Sequence, residues 1–148
     1  MAYEQHDERP FQALFKQDAK YALANQMDYL LYRAEQEYKL RQGKLPALMD
    51  GGLDLDFHGF TRLFHTRGLL SDAEYDLCQR FYFLTRSLLP PPDLIIALSA
   101  ESQIISERLA ARNRINIVSS EDTQLVEDYV DEWLASIPES KILKLNVS

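Results

Sequence analysis

The chain has 148 residues, the length of one ordinary domain, and no repeat at 20 to 50 residues divides it. With 46% hydrophobic and 26% charged residues it can bury a real core and is not expected to be disordered. Sixteen Lys and Arg against 23 Asp and Glu give a formal charge of −7, which argues against general nucleic-acid binding but leaves room for a local basic site.

Helical periodicity runs from about Phe11 to Arg41, where Leu23, Met27, Leu30, Leu31, Ala34 and Tyr38 form one apolar stripe. Gly43 and Pro46 break it. Ala47-Leu48-Met49-Asp50, followed by Gly51-Gly52, reads as a buried strand whose end reaches a site, or equally as an ordinary loop entry. Phe57, Phe60, Leu63 and Phe64 suggest a helix stopped at Gly68. Ser71 with Glu74 forms a capping-box pattern opening a helix that carries Tyr75, Cys78, Phe81, Tyr82, Thr85 and Leu88 and ends at Pro90-Pro91-Pro92.

Leu94 to Leu98 is apolar throughout, as a parallel strand covered on both faces requires. Ser99 caps a further helix through about Arg112, and residues 112–122 are polar and irregular. Leu125, Val126, Tyr129, Val130, Trp133 and Leu134 mark a helix before Pro138, and Lys141 to Val147 a last strand. Strands separated by helices imply a parallel sheet with right-handed crossovers in one domain.

Cys78 is the single cysteine, so there is no internal disulfide framework and no cysteine-based zinc site; His6, His58 and His65 share no ligand spacing, and no metal site is expected. No run of 18 apolar residues spans a membrane, and the opening MAYEQHDERP is no signal peptide. With a mean hydropathy of −0.31, a soluble cytoplasmic protein is the expectation.

Arg108, Arg112 and Arg114 lie at spacings of four and two. Guanidinium forks suit phosphate oxygens, so the three serve as a candidate clamp on a phosphoryl group, or as a solvated helix end. Asp50, with Asp54 and Asp56 behind it, supplies a candidate general base or Mg²⁺ ligand, or simply an acidic turn. A phosphate loop needs glycines followed by Lys and a hydroxyl. Only Gly43-Lys44 pairs the two, with Leu45 where the hydroxyl belongs, so these residues contain no P-loop.

In order, PFQALFKQDAKYALANQMDYLLYR (residues 10–33), Asp50, LFHTRGLLSDAEYDLCQRFYFLTRSLLPPPDLIIALSA (residues 63–100) and the Glu107-Arg108…Arg112-Asn113-Arg114 lid resemble the deoxynucleoside kinase family of P-loop phosphotransferases, over residues 8 to 146. The resemblance implies an α/β fold of three layers with a mostly parallel sheet, rich in helices. It also implies ATP-dependent phosphorylation of a deoxynucleoside 5′-hydroxyl with Mg²⁺, and a homodimer formed through helices. Compared with that pattern the sequence starts at about the second strand, so the first, central strand, the P-loop and the first helix are expected to be missing.

Other departures point the same way. The family's Asp/Glu-Arg-Ser reads Asp50-Gly51-Gly52, keeping the carboxylate and losing the arginine. The base-reading glutamine falls on Ala24, with Gln26 a displaced substitute, and the tyrosine near the sugar hydroxyl falls on Phe15. Asp56 matches a pocket carboxylate, and Glu121 is a displaced acidic partner of the lid. The expectation is a degenerate kinase-like binding or structural subunit with a vestigial base at Asp50, no cofactor of its own, and a protein partner or a second copy against its helices. The alternative is an active kinase using Mg-ATP, whose P-loop lies in a preceding segment or a partner.

Overall fold

The computed structural model describes residues 9–100 and 120–147. The chain divides between Pro90 and Pro91 into two compact units.

The first unit is helical: α1 (Gln12–Gln17), α2 (Ala22–Arg41), α3 (Leu53–Leu55), a π-helical segment (Asp56–Thr61), α4 (Arg62–Thr66) and α5 (Asp72–Leu88). The helix expected from Phe11 to Arg41 is interrupted. Asp18 adopts an extended backbone and its side chain accepts the Lys20 N–H at 2.9 Å, so the chain restarts through a 3₁₀ turn at Ala19–Tyr21. An Asp that bonds the backbone two residues on offers an alternative to the helical ladder, which is the local reason for the break.

The remaining punctuation holds. Gly68, at φ +75°, closes α4, where the Leu69 N–H reaches the Phe64 carbonyl at 2.8 Å. Ser71 and Glu74 make both bonds of the capping box, at 3.1 and 2.8 Å. Leu89 is extended ahead of the three prolines.

The strand expected at residues 47–50 does not form, leaving only an isolated bridge residue at Met49. Leu45 and Leu48 stay exposed, Pro46 offers no N–H, and the two positive-φ glycines 51 and 52 turn the chain straight into α3.

The core gathers Leu30 of α2, Leu53, Phe57, and Cys78 and Tyr82 of α5, with Leu23, Met27, Tyr75 and Phe81 packed against it. Phe57 stacks on Tyr82 at a centroid distance of 4.2 Å. A second contact, Phe15 edge-on to Phe64 at 5.3 Å, fastens α1 to α4.

The second unit pairs β1 (Ile95–Ser99) with β2 (Ile142–Asn146) in parallel, in register from Ile95↔Ile142 to Ser99↔Asn146, with α6 (Ser120–Ala135) between them in sequence. Both predicted strands are present. Full coverage of the first is not: Ile96 and Leu98, with Leu143 and Leu145 beside them, remain exposed, because among the described residues the sheet has only these two strands. The helix expected after Ser99 and the lid arginines Arg108, Arg112 and Arg114 lie outside the described residues.

Candidate functional site

Helix α2 buries the side that its apolar pattern did not mark. Its buried residues are Ala22, Asn25, Gln26, Leu30, Arg33 and Glu37, whereas Leu31 and Tyr38 of the expected stripe are exposed. Gln26, Arg33 and Glu37 sit at spacings of seven and four, which stacks them along the inner face. Buried polar groups persist only where partners receive them, and here the partners come from residues 54 to 61 and from α5.

Two clusters result. In the first, Gln26 Nε2 donates to the Asp56 carbonyl at 3.1 Å and to Thr61 Oγ1 at 2.7 Å, while Thr61 Oγ1 itself donates to that same carbonyl at 2.9 Å. Both partners of Nε2 act as acceptors, which fixes the orientation of the amide and turns Oε1 away from them. Arg33 Nε donates to Asp56 Oδ2 at 3.1 Å and Nη1 to Gln36 Oε1 at 3.2 Å. Burial drives the Asp56 carboxyl up to about 6, although Arg33 pulls the other way. Tyr29, between Gln26 and Arg33 on the helix, is pushed up to about 12 by burial and then by the charge of Asp56. The wide π turn at Asp56–Thr61 is the kind of helical irregularity found often at functional sites.

In the second cluster Arg86 of α5 grips two carboxylates with forked geometry. Nε and Nη2 reach Asp54 at 3.1 and 2.7 Å, and Nη1 and Nη2 reach Glu37 at 2.8 and 3.0 Å. Tyr82 donates its hydroxyl to Asp54 Oδ1, His58 Nε2 lies 3.1 Å from that hydroxyl, and Arg41 Nε reaches Glu37 at 3.2 Å. Burial weakens the charged form of Arg86, but the bonds to Glu37 and Asp54 outweigh it and the guanidinium holds its proton more firmly. His58 is shifted down by burial, with Asp54 opposing. This cluster joins α2, α3 and α5 and is charge-balanced, two arginines against two acids.

Gln26 and Asp56 are therefore brought together, with Arg33, Tyr29 and Asn25 on the same helix. Ala24 lies 200° around α2 from Gln26 and is only half-buried, so the amide at the site is that of Gln26. Phe15 is a core contact to Phe64. Asp50 is exposed, and the three acids do not converge: Asp54 goes to Arg86, Asp56 to Arg33. Among the described residues no three His, Cys, Asp or Glu side chains are placed to hold a metal ion. Glu121 is exposed in the first turn of α6. Sequence reasoning missed Arg33, Glu37 and Arg86. Their signal was a Gln, an Arg and a Glu recurring at core spacing in an otherwise amphipathic helix.

No helix among the described residues is long and apolar enough to cross a membrane. No curated protein matches the chain. A profile described as deoxynucleoside kinase matches residues 1–148, the whole of the sequence. The chain belongs to the deoxynucleoside kinase family.

Proposed function

We propose that this deoxynucleoside-kinase-like chain holds a nucleoside base at the Gln26–Arg33–Asp56 cluster and, by these residues alone, transfers no phosphoryl group, serving as a binding or structural subunit. The observation that carries this reading is the contrast between two halves of one site. The buried amide, guanidinium and carboxyl are assembled and paired. The exposed Asp50 opens instead onto Gly51-Gly52 and a three-residue helix whose first turn carries Asp54 and neither Lys nor hydroxyl. A carboxylate at a helix start repels phosphate where a nucleotide loop would draw it in. Mg-ATP thus does not fit the described residues.

A protein partner or second copy finds a surface on α5, where Leu77, Phe83, Leu84 and Leu88 are exposed beside a groove of about 560 Å³ lined also by Met27 and Phe81. The family's three-layer sheet would be completed around β1 and β2 by strands beyond these two. A second reading, an active kinase whose P-loop comes from a preceding segment or a partner, is favoured by the retention of Asp50 and of the Arg108, Arg112 and Arg114 pattern in the sequence.

Calorimetry with deoxynucleosides, run beside a phosphoryl-transfer assay with ATP and Mg²⁺, separates the two. Binding without turnover is the expected result. Turnover by the purified chain that disappears in Asp50→Asn would overturn the reading.

A further inference from the structure

Asn25, Tyr29 and Arg33 follow one another at four-residue steps along one side of α2, so their side chains share a face. The far end of this row is anchored, because Arg33 is bonded to Asp56 and Tyr29 lies within the reach of both their charges. The near end is not. Asn25 is only 3% exposed, and its Oδ1 is buried with no hydrogen-bond partner. Tyr32, seven residues on, also carries a buried hydroxyl with no partner. A buried carbonyl oxygen that accepts nothing is a standing loss of stability, which native structures seldom keep without a use.

Gln26 adjoins Asn25, and both hydrogens of its amide are spent inward on Asp56 and Thr61. What remains for a ligand is Oε1, an acceptor. Two neighbouring residues of the same helix turn therefore offer oxygen, and neither offers a proton.

We infer that Asn25 is a specificity-determining residue, its Oδ1 joining Gln26 Oε1 in an acceptor edge that selects a nucleobase bearing an amino group and rejects one presenting a carbonyl there. This rests on the nucleoside reading above and narrows it. An amino-bearing base satisfies the orphan oxygen, whereas a carbonyl sets acceptor against acceptor and leaves both unpaired. Sites built to receive a hydrogen-bonding group discriminate most strongly against analogues that lack it.

The test is calorimetric titration of the whole chain with deoxyadenosine, deoxycytidine, thymidine and purine 2′-deoxyriboside, which is deoxyadenosine without its amino group. Deoxyadenosine, deoxycytidine or both should bind about tenfold or more tightly than the analogue and thymidine, the usual scale for one buried, well-partnered hydrogen bond. Asn25→Leu, close in shape and free of the orphan oxygen, should melt no lower than the wild type and lose that preference. A lowered melting temperature with the preference intact would mark Asn25 as structural and overturn the inference. Equal binding of thymidine would overturn it too, while leaving the nucleoside reading standing. Binding of no nucleoside at all would remove both. If Asn25→Leu does not fold, the wild-type comparison of deoxyadenosine with purine 2′-deoxyriboside decides alone.

Discussion

Replacing Arg86 with leucine strands two acids at once. The Asp54 and Glu37 side chains are each 11% exposed, and Arg86 itself 12%, so all three are far enough from water for the pairing to matter. The substitution deletes four N–H···O contacts between 2.7 and 3.1 Å. It does not leave the acids bare, because Tyr82 still donates to Asp54 and Arg41 still reaches Glu37. Removing one partner of a buried ion pair costs about 3–5 kcal/mol. The residual donors hold the loss near the bottom of that range for each acid, and the stranding of two returns the total to about 4 kcal/mol. For a chain of this size each kcal/mol lowers Tm by about 2–4 °C, so Arg86→Leu should melt roughly 8–16 °C below the wild type. Urea titration followed by circular dichroism measures the same quantity at constant temperature. Acidification neutralises the stranded acids, so the deficit should narrow as pH falls. A loss under about 1 kcal/mol, the scale of a solvated pair, would refute the claim that this cluster ties α2, α3 and α5 together.

Three further outcomes follow from the same geometry. Asp56 holds its proton up to about pH 6 in the folded chain against an ordinary 3.8, so the native state binds that proton more tightly than the unfolded one. Its contribution to stability is complete below about pH 4 and declines as pH rises through about 6, and Asp56→Asn should flatten this part of a denaturation-versus-pH series; an unchanged slope would count against the assignment. Gly52, at φ +106° and ψ −179°, occupies backbone space nearly closed to other residues, and its Cβ would meet only Met49 Sδ at a relaxed 3.7 Å. Gly52→Ala should therefore cost about 1–3 kcal/mol through backbone strain rather than collision, read as a drop in urea midpoint with an unchanged slope. Cys78 is buried and its thiol is pushed up to about 11 by burial, so a thiol reagent at neutral pH should label it only as fast as the helices around it open. Rapid stoichiometric labelling of the native chain would contradict the packing of Cys78 against Met27.

The features legible in the sequence were those whose physics is local. Ser71 with Glu74, Gly68 and the three prolines each act on backbone groups a few residues away, and each does in the structure what its pattern implies. The apolar runs that became β1 and β2 were visible for a related reason, since β-branched and leucine residues in short unbroken stretches have few other uses. The segment at residues 47–50 has a similar look and no ladder. A strand is a property of a pair, and no reading of four residues supplies the neighbour.

The site was hidden by the rule that made the helices visible. Reading α2 for its hydrophobic period selects Leu23, Met27, Leu30, Leu31, Ala34 and Tyr38, a band offset from the buried face because that face carries Gln26, Arg33 and Glu37. Those three are tolerated there only because Asp56, Thr61 and Arg86 arrive from other segments to meet them. A sequence that spends core positions on charged and amide side chains gives up packing that leucines would supply, and the compensation is a set of fixed, desolvated hydrogen-bonding groups. Such groups are what a polar ligand needs and what a stable helix does not. The mismatch between the hydrophobic period of α2 and its buried face is therefore itself the mark of a binding site, and it can be read from spacing alone once polar residues at core intervals are counted alongside apolar ones.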